Sequence, residues 1–203
     1  MKTKTKLLSF TFLLGLTFTL VSCGKDDPVP ELDQEVITDV TLTFTEVDES
    51  GNNIGTSMDF LASAEGGLSL GGTIQIETIT GLESGKSYRM EITAYNGIAN
   101  EDITEEIEEE GEEHQFYFLG SAFVGASSFM EYSYDDTDMN GQPVGLTGIV
   151  NIDDNSTSNS GEIRVVLRHD LDKSYEGADN PHWEDYVQAG GESDLDLTFN
   201  VTF

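Results

Sequence analysis

The chain contains three histidines, His114, His169 and His182, and carboxylates lie close to each of them. His114 follows Glu112 and Glu113 at the end of an acidic run. Zinc and copper sites in proteins combine two or three imidazoles with a carboxylate. We therefore predict a metal site at these five residues if the strands that carry His114 and His169 are neighbours. The alternative is structural: His169 caps a strand end, and the other two histidines are solvated.

A second candidate cation site is the stretch DTDMNG, in which Asp136, Asp138 and Asn140 are spaced two residues apart. This spacing matches the first half of a calcium-binding loop, with a glycine at the bend. The twelfth position is Thr147, where such a loop has a bidentate glutamate. Asn140-Gly141 is also typical of a plain hairpin turn, so both interpretations stay open.

Catalytic motifs are missing from the sequence. It contains no G-x-S-x-G, no H-E-x-x-H and no phosphate-binding loop. We therefore predict a binding or structural protein and not an enzyme. Its cofactor is unknown from the sequence, with a divalent ion such as zinc, copper or calcium as the candidate.

The elements that must position these side chains are β-strands, because apolar and polar residues alternate with period two. This alternation occurs in five segments: 40–45, 73–77, 88–95, 163–168 and 194–203. One short acidic helix is expected in the stretch EDITEEIEEEGEE, with Asp102 as its N-cap. The pattern predicts an all-β, antiparallel sandwich with one short helix.

The turn sequence DESGNNIG at 48–55 matches DMNGQPVG at 138–145, and two further matches follow in the same order. These matches predict two related sandwich modules, 36–100 and 114–203, joined by an acidic linker helix at 101–113, with an insertion near 170–189. The alternative is coincidence, because such residues are common in turns.

The stretch GLESGKSYRMEITAYN resembles the corner of fibronectin type III and immunoglobulin-like domains. That resemblance gives Tyr88 a structural role: its ring packs inside while its hydroxyl bonds to the backbone of the corner. It also implies that the sandwich is immunoglobulin-like.

The N-terminus is predicted to carry a lipoprotein signal peptide, residues 1–22. Three lysines precede an apolar run that is too short for a membrane anchor, and LVSC ends that run. This box resembles a bacterial lipobox, which makes Cys23 the lipidation site rather than a free reactive thiol. The following GKDD resembles the surface-export signal of Bacteroidetes lipoproteins, and residues 23–35 are expected to form a tether.

The formal net charge is −30. Removal of residues 1–22 takes away three lysines and no acid, so 39 acidic residues would face 6 basic ones, about −33. The electrostatic field of such a negative chain disfavours the binding of nucleic acid and favours the binding of cations.

Four stretches resemble a group of small flavobacterial surface lipoproteins often labelled "type 1 periplasmic binding fold": 102–118, 138–147, 165–169 and 190–199. The resemblance implies a lipid-anchored protein of the outer membrane, exposed at the cell surface, that works beside a nutrient transporter. The label itself implies parallel strands and long helices, which this sequence lacks. The second functional expectation is a structural or adhesive, fimbria-like surface lipoprotein whose last strand pairs with another chain.

Overall fold

The computed structural model describes residues 36–156 and 158–202. The predicted signal peptide, Cys23 and the tether to residue 35 lie outside this range. The described β-strands are β1 Asp39–Val47, β2 Met58–Ser63, β3 Gln75–Ile76, β4 Ser87–Asn96, β5 Glu101–Asp102, β6 His114–Leu119, β7 Met130–Tyr134, β8 Thr147–Ile152, β9 Ser160–His169 and β10 Glu192–Thr202. The helices are α1 Ile103–Glu109 and a 3₁₀ turn, Tyr186–Ala189.

The strands form two antiparallel sheets. The larger has seven strands in the order β3-β2-β1-β4-β8-β7, with β5 added beside β4, and the smaller has the order β10-β9-β6. One apolar core joins their inner faces, since Leu42 and Phe44 of β1 share it with Phe116, Leu167 and Phe199 of the smaller sheet. The all-β, antiparallel sandwich is confirmed. Its sheets differ in size from the four and three strands of a constant-type immunoglobulin domain.

The two predicted modules share this core. β4, from segment 36–100, pairs with β8, from segment 114–203, with Tyr88 opposite Val150. Gln34–Phe203 accordingly forms one compact unit. The physical reason is that the three-stranded sheet has an apolar inner face, which is buried against the larger sheet.

The sequence repeat corresponds to one hairpin turn rather than to a whole module. In the turn between β1 and β2, Asp48 Oδ1 accepts the backbone N–H groups of Ser50 and Asn52. In the turn between β7 and β8, Asp138 Oδ1 accepts those of Asn140 and Gln142 in the same way. The later sequence matches do not correspond to equivalent structure, because the strand that follows the first, β4, lies in the larger sheet and the strand that follows the second, β10, lies in the smaller sheet.

The predicted acidic helix is present as α1. Its N-cap is Asp102, whose carboxylate accepts the N–H of Thr104. Ile103 and Ile107 lie one turn apart and are buried in the core, while the glutamates between them face solvent. This packing holds the helix end, and the residues up to His114, against the end of the sandwich.

The insertion after β9 covers the outer face of the smaller sheet. Tyr186 and Leu171 of this segment pack on Tyr117 and Val166, which point outward from β6 and β9. Both faces of β6 are therefore covered, and all six of its residues are buried. No helix among the described residues is long and apolar enough to cross a membrane.

Candidate metal site at the end of the smaller sheet

Two of the three histidines meet. His114 begins β6 and His169 ends β9, and the antiparallel register places them directly opposite each other. Both side chains lie on the inner face of the sheet, and their rings stack with centroids 4.5 Å apart and planes inclined by 18°. His114 is fully buried, whereas 14% of the His169 side chain is exposed. The pair therefore has one closed side and one side open to solvent.

A third group of the cluster is Asp194, which the sequence pattern did not reveal. Its Oδ2 atom lies 3.8 Å from Nε2 of His114 and 3.6 Å from Nδ1 of His169. Strict alternation along β10 predicts that Asp194 faces solvent like Asp196. A β-bulge between Ser193 and Leu195 leaves Asp194 without a partner on β9 and turns it inward, where it is only 1% exposed.

The hydrogen bonds of His114 define its protonation. Its Nδ1 atom lies 3.2 Å from the backbone carbonyl oxygen of Glu110, which can only accept, so Nδ1 carries the proton. The lone pair is then on Nε2. Among the described residues, Nε2 of His114 and Oδ2 of Asp194 are buried without a hydrogen-bond partner. Two buried polar atoms without partners at one place are rare in a folded protein, and they mark a candidate ligand site.

Burial sets the charge state of the cluster. It lowers the pKa of His114, with the neighbouring charge of His169 acting in the same direction. It raises the pKa of Asp194 to about 6, against the opposing effect of His169 and Arg168. At neutral pH the cluster thus offers a neutral imidazole beside an ionised carboxylate, the protonation states that a metal ion requires.

Exposed acids surround the open side. Oε2 of Glu113 lies 3.5 Å from Nε2 of His169. Two sets of three side chains have potential ligand atoms within 4.8 Å of one another: Glu110, His114 and His169, and Glu113, His169 and Asp170. Glu112 was predicted as a ligand but is turned away, because its Oε1 accepts a hydrogen bond from the side-chain amide of Asn140.

His182 does not join the cluster, contrary to the prediction. Its Nδ1–H donates to the carbonyl of Phe118 at 2.6 Å, and its Nε2 accepts the N–H of Tyr132 at 3.2 Å. The ring also stacks on Phe123. Phe118 is four residues along β6 from His114, roughly 13 Å in an extended strand. Both nitrogens of His182 thus tie the insertion to the sandwich.

The predicted calcium ligands do not converge on one point either. Both carboxylate oxygens of Asp136 accept backbone N–H groups, from Gly145 and Thr147. Asp138 supports the hairpin turn through Oδ1, and its Oδ2 lies 3.0 Å from the Nζ atom of Lys173.

Lys173 supplies the positive charge at this turn. Its buried ammonium group also donates to the carbonyls of Gly111 and His114. Burial by itself would raise the pKa of Asp138, but hydrogen bonds from Gln142 and Lys173 outweigh it, so that pKa is lowered. The DTDMNG stretch therefore forms a hairpin turn with its own internal cation.

Tyr88 occupies the structural position that its corner motif implies. Its ring is buried, and its hydroxyl accepts the backbone N–H of Glu83 at 3.0 Å. This contact closes the corner before β4 and has no connection with the histidine cluster.

The cluster therefore offers imidazole nitrogen and carboxylate oxygen, donor atoms that can coordinate a cation. No known protein family, curated protein or solved structure matches this chain.

Proposed function

We propose that this protein is a lipid-anchored accessory binding protein of the bacterial outer membrane that captures a divalent metal ion at the paired histidines His114 and His169. The ion would be passed to an outer-membrane transporter. The observation that carries this proposal is the pair of stacked imidazoles beside a buried carboxylate, with unpartnered atoms on His114 and Asp194. A purely structural cluster would be expected to satisfy those atoms by hydrogen bonds.

The charge of the chain supports the same role. A net charge of −30 attracts cations towards the surface and repels nucleic acid and anionic lipid. Glu110 and Glu113 lie at the open side of the site, where they concentrate cations beside His169. The stacked imidazoles beside a carboxylate support coordination of an ion, and the sequence contains no catalytic motif, so we assign a binding role rather than a catalytic one.

The adhesive alternative depends on the free edge of β10. Both ends of this edge are engaged: the hydroxyl of Ser69 donates to the carbonyl of Asp194, and Ile79 exchanges backbone hydrogen bonds with Asn200 and Thr202. Among the residues that the structure describes, these contacts leave only the middle of the strand for pairing with another chain. This covering favours the binding role.

The test is calorimetric titration of residues 34–203 with Zn²⁺, since this segment forms one compact unit. The wild-type protein should bind one ion, and the double variant His114→Ala/His169→Ala should lose that binding. A matched control, Glu49→Gln/Glu65→Gln, removes two exposed acids that belong to neither candidate ligand set and should retain it. Equal weak heats from all three proteins would show that the acidic surface alone attracts the ion, and the proposal would then fail.

A further inference from the structure

We infer that the ion is of the zinc and copper class and not calcium, and that three atoms hold it: Nε2 of His114, Nδ1 of His169 and Oδ2 of Asp194. In this arrangement Glu113 and the carbonyl of Glu110 are positioning groups that orient the two imidazoles. The inference rests on the proposed function, and it adds the ligand atoms and the class of ion.

The contact of His114 with Glu110 is the arrangement that metal-binding histidines commonly show. A ligating imidazole usually donates its other ring N–H to a backbone carbonyl or a carboxylate, which fixes the tautomer and the orientation of the ring. The carbonyl of Glu110 accepts from Nδ1 of His114 at 3.2 Å. The Nε2 lone pair therefore points to the side where Asp194 lies.

His169 has a carboxylate at each ring nitrogen. Its Nδ1 is 3.6 Å from buried Asp194, and its Nε2 is 3.5 Å from Glu113, whose side chain is 56% exposed. Nδ1 is the ligand in our assignment because it faces the same Oδ2 atom as Nε2 of His114. The Nε2–H of His169 then donates to Glu113. This carboxylate therefore orients the ring of His169 as the carbonyl of Glu110 orients the ring of His114.

Two of the three distances between the assigned ligand atoms are close to those around a coordinated ion. Zinc binds nitrogen and oxygen at about 2.0 to 2.2 Å, so neighbouring ligand atoms in a tetrahedron lie roughly 3.3 Å apart. The separations from Asp194 Oδ2, 3.8 Å and 3.6 Å, exceed this value by a few tenths of an ångström. The three groups are not among the sets whose ligand atoms all lie within 4.8 Å of one another, so Nε2 of His114 and Nδ1 of His169 must also approach each other. The near-parallel rings must also tilt, and His169 can do so because it lies at the open side.

The types of donor atom select the ion. Two imidazole nitrogens with one carboxylate oxygen suit zinc, copper and nickel. Calcium needs six to eight oxygen ligands, and Asp194 is the only carboxylate enclosed with the two rings among the residues that the structure describes. The exposed acids at the rim are too few to complete such a shell.

The experiment follows Co²⁺ as a visible-absorbing probe for zinc, added to residues 34–203. The wild-type protein should develop the intense visible bands of a low-coordinate cobalt site, and Zn²⁺ but not excess Ca²⁺ should remove them. Asp194→Asn should abolish the bands. Glu113→Gln should weaken binding by about 10- to 100-fold while leaving the band positions unchanged, as expected for a positioning residue. The matched control variant Glu112→Gln changes the neighbouring residue and should bind cobalt like the wild type, because Glu112 contacts Asn140 instead.

Two results would overturn the inference and leave the proposed function standing: full cobalt affinity in Asp194→Asn, or displacement of cobalt by calcium. Equal losses in the Glu112 and Glu113 variants would remove the positioning role. If wild-type protein bound neither cobalt nor zinc, the inference and the proposed function would both fail. A urea unfolding curve for each variant checks folding, and His169→Gln, altered at the open side, tests the same ligand set if Asp194→Asn does not fold.

Discussion

The three histidines differ in what their ring nitrogens contact. His114 has one nitrogen bonded to a carbonyl and one directed at Asp194, and His169 has carboxylates on both sides. His182 has both nitrogens engaged with the backbone of Phe118 and Tyr132. Residue type alone therefore says little about a metal site, since the deciding property is a nitrogen left available by the surrounding backbone.

The role of His182 predicts a specific dependence of stability on pH. Burial lowers its pKa below the ordinary value of 6.5, while the carbonyl of Phe118 and the charge of Glu131 oppose this effect. The unfolded chain therefore takes up a proton before the folded chain does. The contribution of this group to stability is complete above pH 6.5 and is lost as the pH falls below that value towards the folded pKa.

We expect His182→Gln to flatten the fall of unfolding free energy below pH 6.5, measured by urea titration in the presence of a chelator. His182→Ala should cost about 2 to 4 kcal/mol at pH 7.5, because the carbonyl of Phe118 and the N–H of Tyr132 lose their partner. The same slope against pH in wild type and His182→Gln would contradict this role. His114 also titrates, but it is present in both proteins and cancels in the comparison.

At the scale of elements, the smaller sheet carries the site on one face and the insertion on the other. The inner residues of β6 and β9 end at His114 and His169, while Tyr117, Val166 and Arg168 point into the outer layer. Tyr186 stacks on Tyr117 at 5.6 Å and lies under the guanidinium group of Arg168 at 5.5 Å. The outer layer thus stiffens the two strands without contacting the candidate ligands through these side chains.

This separation predicts different effects on stability and on binding. Tyr186→Ala should lower the unfolding free energy by about 3 to 5 kcal/mol, the usual cost of removing a buried aromatic ring. Tyr186→Phe keeps the ring and loses only the hydroxyl that accepts from Arg164, so it should cost about 1 kcal/mol. Both should bind cobalt with wild-type affinity under conditions where they are folded. Loss of cobalt binding in folded Tyr186→Phe would show that the two faces are coupled.

At the scale of the whole molecule, one sandwich unit carries a large negative charge. Residues 1–22 contain three of the nine basic residues and no acid, so the mature chain predicted here is more acidic than the full sequence. Such a body cannot adhere to anionic lipid by its charge. Its proposed place at the membrane therefore depends on acylation of Cys23 alone.

We expect Cys23→Ser to move the protein from the detergent phase to the aqueous phase when bacterial cells that express it are extracted. The wild type should remain in the detergent phase, and mass spectrometry should find its first peptide starting at Cys23 with fatty acid attached. The cobalt spectrum of both proteins should be the same, because residue 23 precedes the compact unit. An intact N-terminal leader in the wild type would refute the anchor and, with it, the proposed location.

The sequence by itself determined the class of fold and the short helix. Alternation along β1, β4, β9 and β10 is a local property, since one face of each strand must be apolar to be buried. The capping residue Asp102 and the turns beginning at Asp48 and Asp138 are also local, because their hydrogen bonds join residues two to four positions apart. Such features can be recognised from a few consecutive residues.

Only the tertiary structure decided which residues form the candidate metal site. His114 and His169 lie far apart in the chain, and their meeting depends on the choice of β9 as the neighbour of β6. Asp194 enters through a bulge that breaks the alternation of β10, and Lys173 arrives from the insertion to take the place of a calcium ion at Asp138. Strand order, bulges and buried ion pairs follow from how the whole chain fills one core, so no short stretch of sequence contains them.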